Sequence, residues 1–211
     1  MLKVVSFDVV GTLLDSSFED HVWNTLIPQL YARKQGINFE EAKEFIQIEY
    51  DNVGNRDIRW YLPSYWFKHL NLDKDPIGVF RNHINKVKFY PETHSVLKKL
   101  SQKYDLIILS GTTREIIEIM IEKVRHYFKH IFSPISDRKE IKKNAKMYEM
   151  ICKILDTEPN QIAHVGDDWY SDFISPRKIG IKSFHLDRTG QKSGKFVIKD
   201  LNELEKCLTI F

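Results

Sequence analysis

The chain has 211 residues, of which 42% are hydrophobic and 29% are charged, and its formal net charge is +3. This composition excludes an intrinsically disordered chain and supplies enough apolar material for a core. The small net charge gives no indication of a nucleic-acid partner. Because no run approaches the roughly 18 apolar residues of a membrane span, we also expect no membrane partner.

The two cysteines, Cys152 and Cys207, lie far apart in the sequence and form no metal-binding or redox motif. We expect both to act as small core residues in a reducing compartment. The first apolar run is a short strand rather than a secretory leader. These features predict a cytoplasmic protein, either a monomer or a homodimer.

The first predicted element is a buried strand that ends at a carboxylate. The apolar residues 4–7 lead directly into Asp8, and Gly11 and Thr12 follow. Strands that are buried on both faces belong to parallel sheets, where ligands bind at the carboxyl ends of the strands. Asp8 therefore lies where a functional group is expected, although a single acid after a strand is often only a turn or cap residue.

Residues 16–88 show helical periodicity and no convincing strand. The apolar residues Val22 and Leu26 mark a first helix, and Asn38 is a plausible cap for a second. A third helix is predicted over residues 60–70, and a fourth begins at Pro76. Four helices that interrupt an α/β pattern after its first strand indicate an inserted helical cap, residues 16–88.

An alternating pattern of helices and strands begins at residue 89. Helices are predicted over residues 92–103, from 114 onward, and over 145–155, 170–179 and 201–208. Strands are predicted over residues 105–109, 131–135, 161–165, 180–186 and, as an edge strand, 195–198. Such alternation predicts an α/β fold with a Rossmann-like, doubly wound parallel sheet. The predicted core is formed by residues 1–15 and 89–211.

Three of the predicted strands end in polar loops, at residues 8–12, 110–113 and 166–172. Parallel strands bring these loops to one edge of the sheet. Together they supply carboxylates, a hydroxyl and turn amides. Crowded carboxylates favour Mg²⁺, which prefers oxygen ligands, and turn amides bind anions. This combination is typical of phosphoryl transfer.

Two of these loops resemble motifs of the haloacid dehalogenase-like hydrolase superfamily. D-V-V-G-T at residues 8–12 is similar to its first motif, D-x-D-x-T, and H-V-G-D-D-W-Y-S-D at residues 164–172 is similar to H-V-G-D-s-x-x-x-D. Many members carry a helical cap after the first motif. The resemblance covers the core from end to end but contains little information about the cap.

The resemblance implies a role for each matching position. Asp8 would be the nucleophile, and the Val10 backbone carbonyl and Asp167 would bind Mg²⁺. Asp172 would bind the metal through water or hold Lys142. The implied metal ligands are Asp8, Val10, Asp167 and Asp172.

The phosphoryl group would be held by Ser110, by the amide of Gly111 and by a lysine. Counting back from Tyr148 places this lysine at Lys142, but the proline of the family motif is absent, so that Lys143 or Lys146 could replace it. The implied phosphate-binding residues are Val9, Val10, Thr12, Ser110, Gly111 and Lys142, and the implied catalytic residues are Asp8, Ser110 and Lys142.

Each of these residues also has a purely structural interpretation. Ser110 could cap the next helix, and Lys142 could be a surface lysine. Asp168 and Asp172 could be acids in the first turn of a helix, where the helix dipole favours them. The aromatic residues of the third predicted helix are most simply explained as packing within the cap; they are Trp60, Tyr61, Tyr65 and Trp66.

Val10 departs from the phosphatase pattern, which has an aspartate there. That aspartate acts as general acid, a role that typically contributes about 10²–10⁴-fold to the rate. The substrate could have a good leaving group, the protein could be a weak phosphatase, or the cap could supply the acid. The candidates for such an acid near the start of the cap are Asp15, Glu19, Asp20 and His21.

The leading hypothesis is a Mg²⁺-dependent phosphatase that acts on a small phosphorylated metabolite through an aspartyl-phosphate. Val10 also leaves open a 2-haloacid dehalogenase or a phosphonatase, which would use a cap lysine such as Lys34, Lys43 or Lys68. The acidic loop around Asp167 argues against the dehalogenase, which works without metal. A catalytically weak module that binds phosphate or a partner protein is the non-enzymatic alternative.

Overall fold

Six parallel strands form the centre of the computed structural model, which describes residues 1–208. The strands are Val4–Phe7 (β1), Asp105–Leu109 (β2), Phe128–Phe132 (β3), Ile162–Gly166 (β4), Lys182–Leu186 (β5) and Val197–Ile198 (β6). Their order is β3-β2-β1-β4-β5-β6, so that β1 is central and the order of connection reverses between β1 and β4. The predicted doubly wound sheet is therefore confirmed, and ligands bind at such a reversal point.

Helices cover both faces of the sheet. They are Thr93–Leu100 (α6), Arg114–Met120 (α7), Pro134–Arg138 (α8), Ala145–Ile154 (α9), Ser175–Arg177 (α10) and Leu201–Leu208 (α11), numbered after five helices that precede them in the chain. Val5 and Phe7 pack in one apolar cluster with Leu97 of α6, whereas Val4 packs in a second cluster with Met147 of α9. Alternate strand residues thus face opposite layers, as the period-two pattern of a buried strand requires.

The chain between β1 and α6 is helical. Its α-helices are Ser17–His21 (α1), Ile27–Gln35 (α2), Phe39–Val53 (α3), Pro63–His69 (α4) and Pro76–Arg81 (α5), and a π-helical turn, Val22–Leu26, joins α1 to α2. Asn38 caps α3 as expected, because its side chain accepts a hydrogen bond from the Glu41 backbone N–H. The four predicted helical segments are present, and we call residues 16–88 the helical segment.

The two connections between the helical segment and the sheet run side by side. Leu14 forms an antiparallel bridge with Phe89, and the Asp15 backbone N–H donates to the carbonyl of Lys88. On the other side of the bridge, the Tyr90 N–H and the Thr93 hydroxyl both donate to the carbonyl of Leu13. We call this paired stretch, residues 13–15 and 88–93, the seam.

The third strand and one helix differ from the sequence-based prediction. The strand predicted at residues 131–135 is Phe128–Phe132, because Ser133 caps α8 and Pro134 occupies its first turn. The helix predicted over residues 170–179 is a π-helical turn, Trp169–Ile174, followed by α10. Pro176 has no backbone N–H to extend a regular α-helix at that point.

Two smaller observations concern the cysteines and the lengths of the helices. Cys152 is buried and Cys207 is partly buried, and both are free thiols, as expected. Within residues 1–208, none of the helices combines the length and the apolar character that crossing a membrane requires.

Leu97 is fully buried against the sheet, and Leu97→Ala should lower the free energy of unfolding by about 2–5 kcal/mol. The loss combines the removed apolar contact with the cavity that is left behind. Urea unfolding monitored by circular dichroism measures it. The adjacent Lys98 is exposed, so that Lys98→Ala is the matched control, with an expected change within about 0.5 kcal/mol. Equal effects of the two substitutions would contradict this packing.

Candidate active site

The loop after β1 holds Asp8 at the carboxyl edge of the sheet. Asp8 is buried, and its backbone N–H donates to the carbonyl of Val165 on β4 at 3.0 Å. Gly11 has φ of 76°, and a Cβ atom at this position would overlap the carboxylate of Asp167. Glycine therefore allows both the turn and the close approach of the loop that follows β4.

A buried lysine joins two of the acidic residues. The Lys143 ammonium lies 2.8 Å from Asp8 Oδ1 and 2.5 Å from Asp172 Oδ1. All three side chains are at most 8% exposed, so that this ion pairing takes place largely out of water. A buried charge requires such partners, because an uncompensated one is costly.

His164 on β4 extends this network into the core. Its Nε2 lies 3.0 Å from Asp172 Oδ1, and its Nδ1 lies 2.8 Å from the hydroxyl of Ser6 on β1. Since a carboxylate only accepts, Nε2–H donates to Asp172, while Nδ1 lies within hydrogen-bond distance of the Ser6 hydroxyl. The Asp168 backbone N–H donates to the second oxygen of Asp172. Asp172 is therefore held by a histidine and a backbone amide besides the lysine.

The carboxyl groups around this network differ in the direction in which their pKa values are shifted. Burial raises the pKa of Asp8, and this effect outweighs the opposing charge of Lys143. Burial also acts on Asp172, but there the Lys143 ammonium and the His164 hydrogen bond dominate and lower the pKa to about 2. Desolvation and the charges of Asp8 and Asp172 raise the pKa of Asp167 to about 7. Asp172 thus remains ionised as the partner of the lysine.

Asp8, Asp167 and Asp172 fit the ligand set of a hard divalent cation. One carboxylate oxygen from each residue lies within 4.8 Å of the others. After desolvation, the negative charges of Asp8 and Asp172 are the next causes of the raised pKa of Asp167, and a cation between the three carboxylates would relieve this repulsion. Mg²⁺ usually binds through one or two carboxylates with additional water and substrate oxygens.

The loop after β2 contributes a hydroxyl to the same site. Ser110 and Gly111 line a cavity above the carboxyl edge together with Asp8, Val10 and Lys143. Thr113, not Ser110, is the residue that precedes the first turn of α7, so that Ser110 is not that helix's cap.

Three of the residues expected at the phosphate site do not line this cavity. The side chains of Val9 and Thr12 are fully buried, and a contact of either with phosphate would have to come from the backbone. Lys142, the expected phosphate-binding lysine, is exposed, whereas the neighbouring Lys143 is buried beside Asp8. Counting back from Tyr148 does not distinguish the two lysines, because the loop before α9 has no periodicity that fixes a register.

The cavity has a volume of about 460 Å³ and lies between the sheet edge and the helical segment. The helical segment contributes Glu19 and several residues that the sequence did not single out, together with two aromatic residues that it did. These lining residues are Trp23, Asn24, Gln47, Tyr50, Trp60 and Tyr61. Trp66 is instead fully buried within the helical segment, as expected for packing. The site thus combines a charged floor with largely aromatic walls.

Sequence and structure comparisons reveal several related proteins. The sequence pattern of the haloacid dehalogenase-like hydrolases matches residues 2–180. A crystal structure of an HAD phosphatase from Thermococcus onnurineus superposes with a TM-score of 0.81, at 26% identity and with 98% of each chain covered. A glyceraldehyde 3-phosphate phosphatase from Pyrococcus abyssi is 22% identical over 195 residues, which are 87% of this chain and 80% of that protein.

A shorter match is found to the GMP/IMP nucleotidase YrfG of Escherichia coli K12. It is 36% identical over 72 residues. These residues are 34% of this chain, and the match spans only about a third (32%) of the length of the nucleotidase.

The Lys143 ion pairs predict a large difference between two neighbouring lysines. Lys143→Gln leaves Asp8 and Asp172 buried without their cation, and we expect the free energy of unfolding to fall by about 3–5 kcal/mol. Lys142→Gln removes an exposed charge and should change it by no more than about 0.5 kcal/mol. Urea unfolding of both variants at neutral pH tests this, and a greater loss in Lys142→Gln would contradict the assignment.

Proposed function

The chain belongs to the haloacid dehalogenase-like hydrolases, and we propose that it is a Mg²⁺-dependent phosphatase that cleaves a small phosphorylated molecule through an aspartyl-phosphate on Asp8. The observation that carries the proposal is the convergence of Asp8, Ser110, Lys143 and Asp172 on one cavity. These side chains come from four separate parts of the sequence.

In the proposed reaction, a carboxylate oxygen of Asp8 attacks the phosphorus, and the bond to the leaving oxygen breaks. The Ser110 hydroxyl and the Gly111 amide hold the phosphoryl oxygens, while the Lys143 ammonium compensates negative charge beside Asp8. Asp172 and His164 keep Lys143 in place. Mg²⁺, held by Asp8, Asp167 and Asp172 with the carbonyl of Val10, would neutralise charge on the phosphoryl group. Water then hydrolyses the aspartyl-phosphate and releases phosphate.

Two alternative reactions find less support at this site. A phosphonatase needs a lysine from the helical segment in the cavity, but among residues 1–208 Lys143 is the only lysine that lines it. Lys34 pairs with Asp73 on the surface, and Lys43 and Lys68 are exposed. A dehalogenase works without metal, so that its reaction does not require the cluster of three carboxylates formed by Asp8, Asp167 and Asp172. A silent phosphate-binding module would have the same site without turnover, and the activity assay below distinguishes it.

The cavity indicates which phosphate esters to test first. Its volume of about 460 Å³ limits the substrate to a small molecule, and the Trp23, Trp60 and Tyr61 side chains on its wall suit a flat ring. Two relatives are named for the hydrolysis of GMP and IMP and of glyceraldehyde 3-phosphate. A panel of these three compounds with other sugar and nucleoside phosphates, assayed for phosphate release, would identify the substrate class.

The division of the chain into a core (1–15 and 89–211) and a cap (16–88) also belongs to this proposal. The end of the proposed core, residues 209–211, lies outside the described part of the chain. The proposed setting is the cytoplasm, with a phosphorylated small molecule as the partner and a monomeric or homodimeric chain.

Asp8→Asn should abolish turnover of 4-nitrophenyl phosphate in the presence of Mg²⁺, because the amide is not a nucleophile. Release of 4-nitrophenolate measures this, and the rate should fall to that of buffer alone. Glu44→Gln alters an exposed carboxylate of α3 that does not line the cavity, and it should leave the rate unchanged. Wild-type protein that is no faster than Asp8→Asn would reject the phosphatase.

Mg²⁺ should raise the melting temperature of the wild-type protein, because binding to the folded state alone stabilises it. Asp167→Asn removes one of the three carboxylates, and we expect this substitution to weaken or abolish the shift. In the wild type, the free energy of unfolding should be about 2.7 kcal/mol higher at a Mg²⁺ concentration of roughly 100 times Kd than without Mg²⁺. The exposed Glu44→Gln variant should respond as the wild type does, and an unchanged response in Asp167→Asn would remove that residue from the ligand set.

A further inference from the structure

Val10 leaves the proposed phosphatase without an evident proton donor. When the bond between phosphorus and the leaving oxygen breaks, an alkoxide must be protonated unless it is already a stable anion. The valine side chain lines the cavity and cannot supply a proton. Another acid within the same cavity is therefore needed if the substrate is an alkyl phosphate, and this argument rests on the proposed function.

Four carboxylates line the cavity, and three of them already have other partners. Asp8 and Asp172 form ion pairs with Lys143, and Asp168 accepts a hydrogen bond from the Ser171 backbone N–H at 2.6 Å. The fourth is Glu19. Within residues 1–208, no side chain or backbone group forms a hydrogen bond or an ion pair with its carboxyl group.

Glu19 is directed into the cavity by the helix that carries it. α1 begins just after the seam, and its Phe18 is 1% exposed and packs into the core. The other acids near this point lie elsewhere. Asp15 accepts from the Ser17 backbone N–H, and the exposed Asp20 accepts from the Ser16 hydroxyl.

The remaining candidate of this region, His21, is also engaged away from the site. Its Nε2 lies 2.9 Å from Nδ1 of His83, and it does not line the cavity. Of the four groups that the sequence offers near the start of the helical segment, only Glu19 therefore faces the reacting groups.

The surroundings of Glu19 favour a carboxyl group that can both give and take a proton. Desolvation and then the negative charges of Asp8 and Asp20 raise its pKa to about 7. The lysine on the cavity floor, Lys143, is bound to Asp8 and Asp172 instead. General acid–base catalysis is most efficient when the pKa of the group lies near the working pH.

We propose that Glu19 is the general acid and base of this enzyme, and that it replaces the carboxylate missing at position 10. In the first step, Asp8 forms a bond to phosphorus, the bond to the leaving oxygen breaks, and the Glu19 carboxyl proton passes to that oxygen to give the alcohol. In the second step, the Glu19 carboxylate takes a proton from water as the water oxygen attacks phosphorus. The bond to Asp8 breaks, and inorganic phosphate leaves.

The proposal predicts that Glu19→Gln acts differently on two classes of substrate. With an alkyl phosphate such as glycerol 3-phosphate, we expect kcat to fall by about 10²–10⁴-fold, since both proton transfers are lost. With 4-nitrophenyl phosphate, the leaving anion needs no proton. The first turnover should then remain fast and produce a burst of one nitrophenolate per protein, followed by slow hydrolysis of the aspartyl-phosphate. Glu44→Gln, at an exposed carboxylate of α3 that does not line the cavity, is the matched control and should show wild-type kinetics with both substrates.

A second variant keeps the test decisive if Glu19→Gln is itself perturbed. Adding Val10→Asp to Glu19→Gln returns a carboxyl group to the cavity and should restore alkyl-phosphate turnover at least tenfold. Equal losses of the first-turnover rate with both substrates, no loss with either, or no gain in the double variant would overturn the role of Glu19. Absence of turnover by the wild-type protein with every phosphate ester would instead contradict the proposed function itself.

Discussion

The buried positive charge of Lys143 is the constraint around which the site is organised. An ammonium in the interior is tolerated only with anionic partners, and Asp8 and Asp172 supply them from the loops after β1 and β4. His164 then holds Asp172, and Ser6 holds His164, so that the network reaches the middle of the sheet. Ser6 and His164 are direct neighbours across β1 and β4. A shift of one residue between these strands would point one of them to the opposite face and separate the pair.

The two parts of the cavity contribute different chemistry. The sheet edge supplies the charged groups around Asp8, whereas the helical segment supplies mainly aromatic rings, among them Tyr50 and Trp60. Aromatic walls exclude water and strengthen the electrostatic interactions on the floor of the cavity. Glu19 is the exception among the residues of the helical segment, since it brings a carboxyl group to the charged side. The raised pKa of Glu19 and that of Asp8 both follow from this exclusion of water.

Periodicity predicted the sheet and most helices because each strand or helix carries its own local pattern. It misplaced the third strand by three residues at its start, because the signals that end Phe128–Phe132 are the cap and proline of the next helix. It also selected Lys142 over Lys143, since nothing local in that loop determines which lysine turns inward. The contact of His164 with Ser6 depends on the pairing of β1 with β4. Such a contact between residues that are distant in the chain has no signature in a single sequence.

The seam has a mechanical consequence. Both connections to the helical segment pass through the seam, where they are hydrogen-bonded to each other, so that a rotation of that segment about its connections would have its axis near Leu14 and Phe89. In such a rotation, the displacement of a residue grows with its distance from the axis. Glu19 follows the seam closely in the chain and would move little, whereas Trp60 is far in sequence from both connections. Opening the cavity in this way would release the organic part of a ligand while the proton-transfer group stays beside the nucleophile.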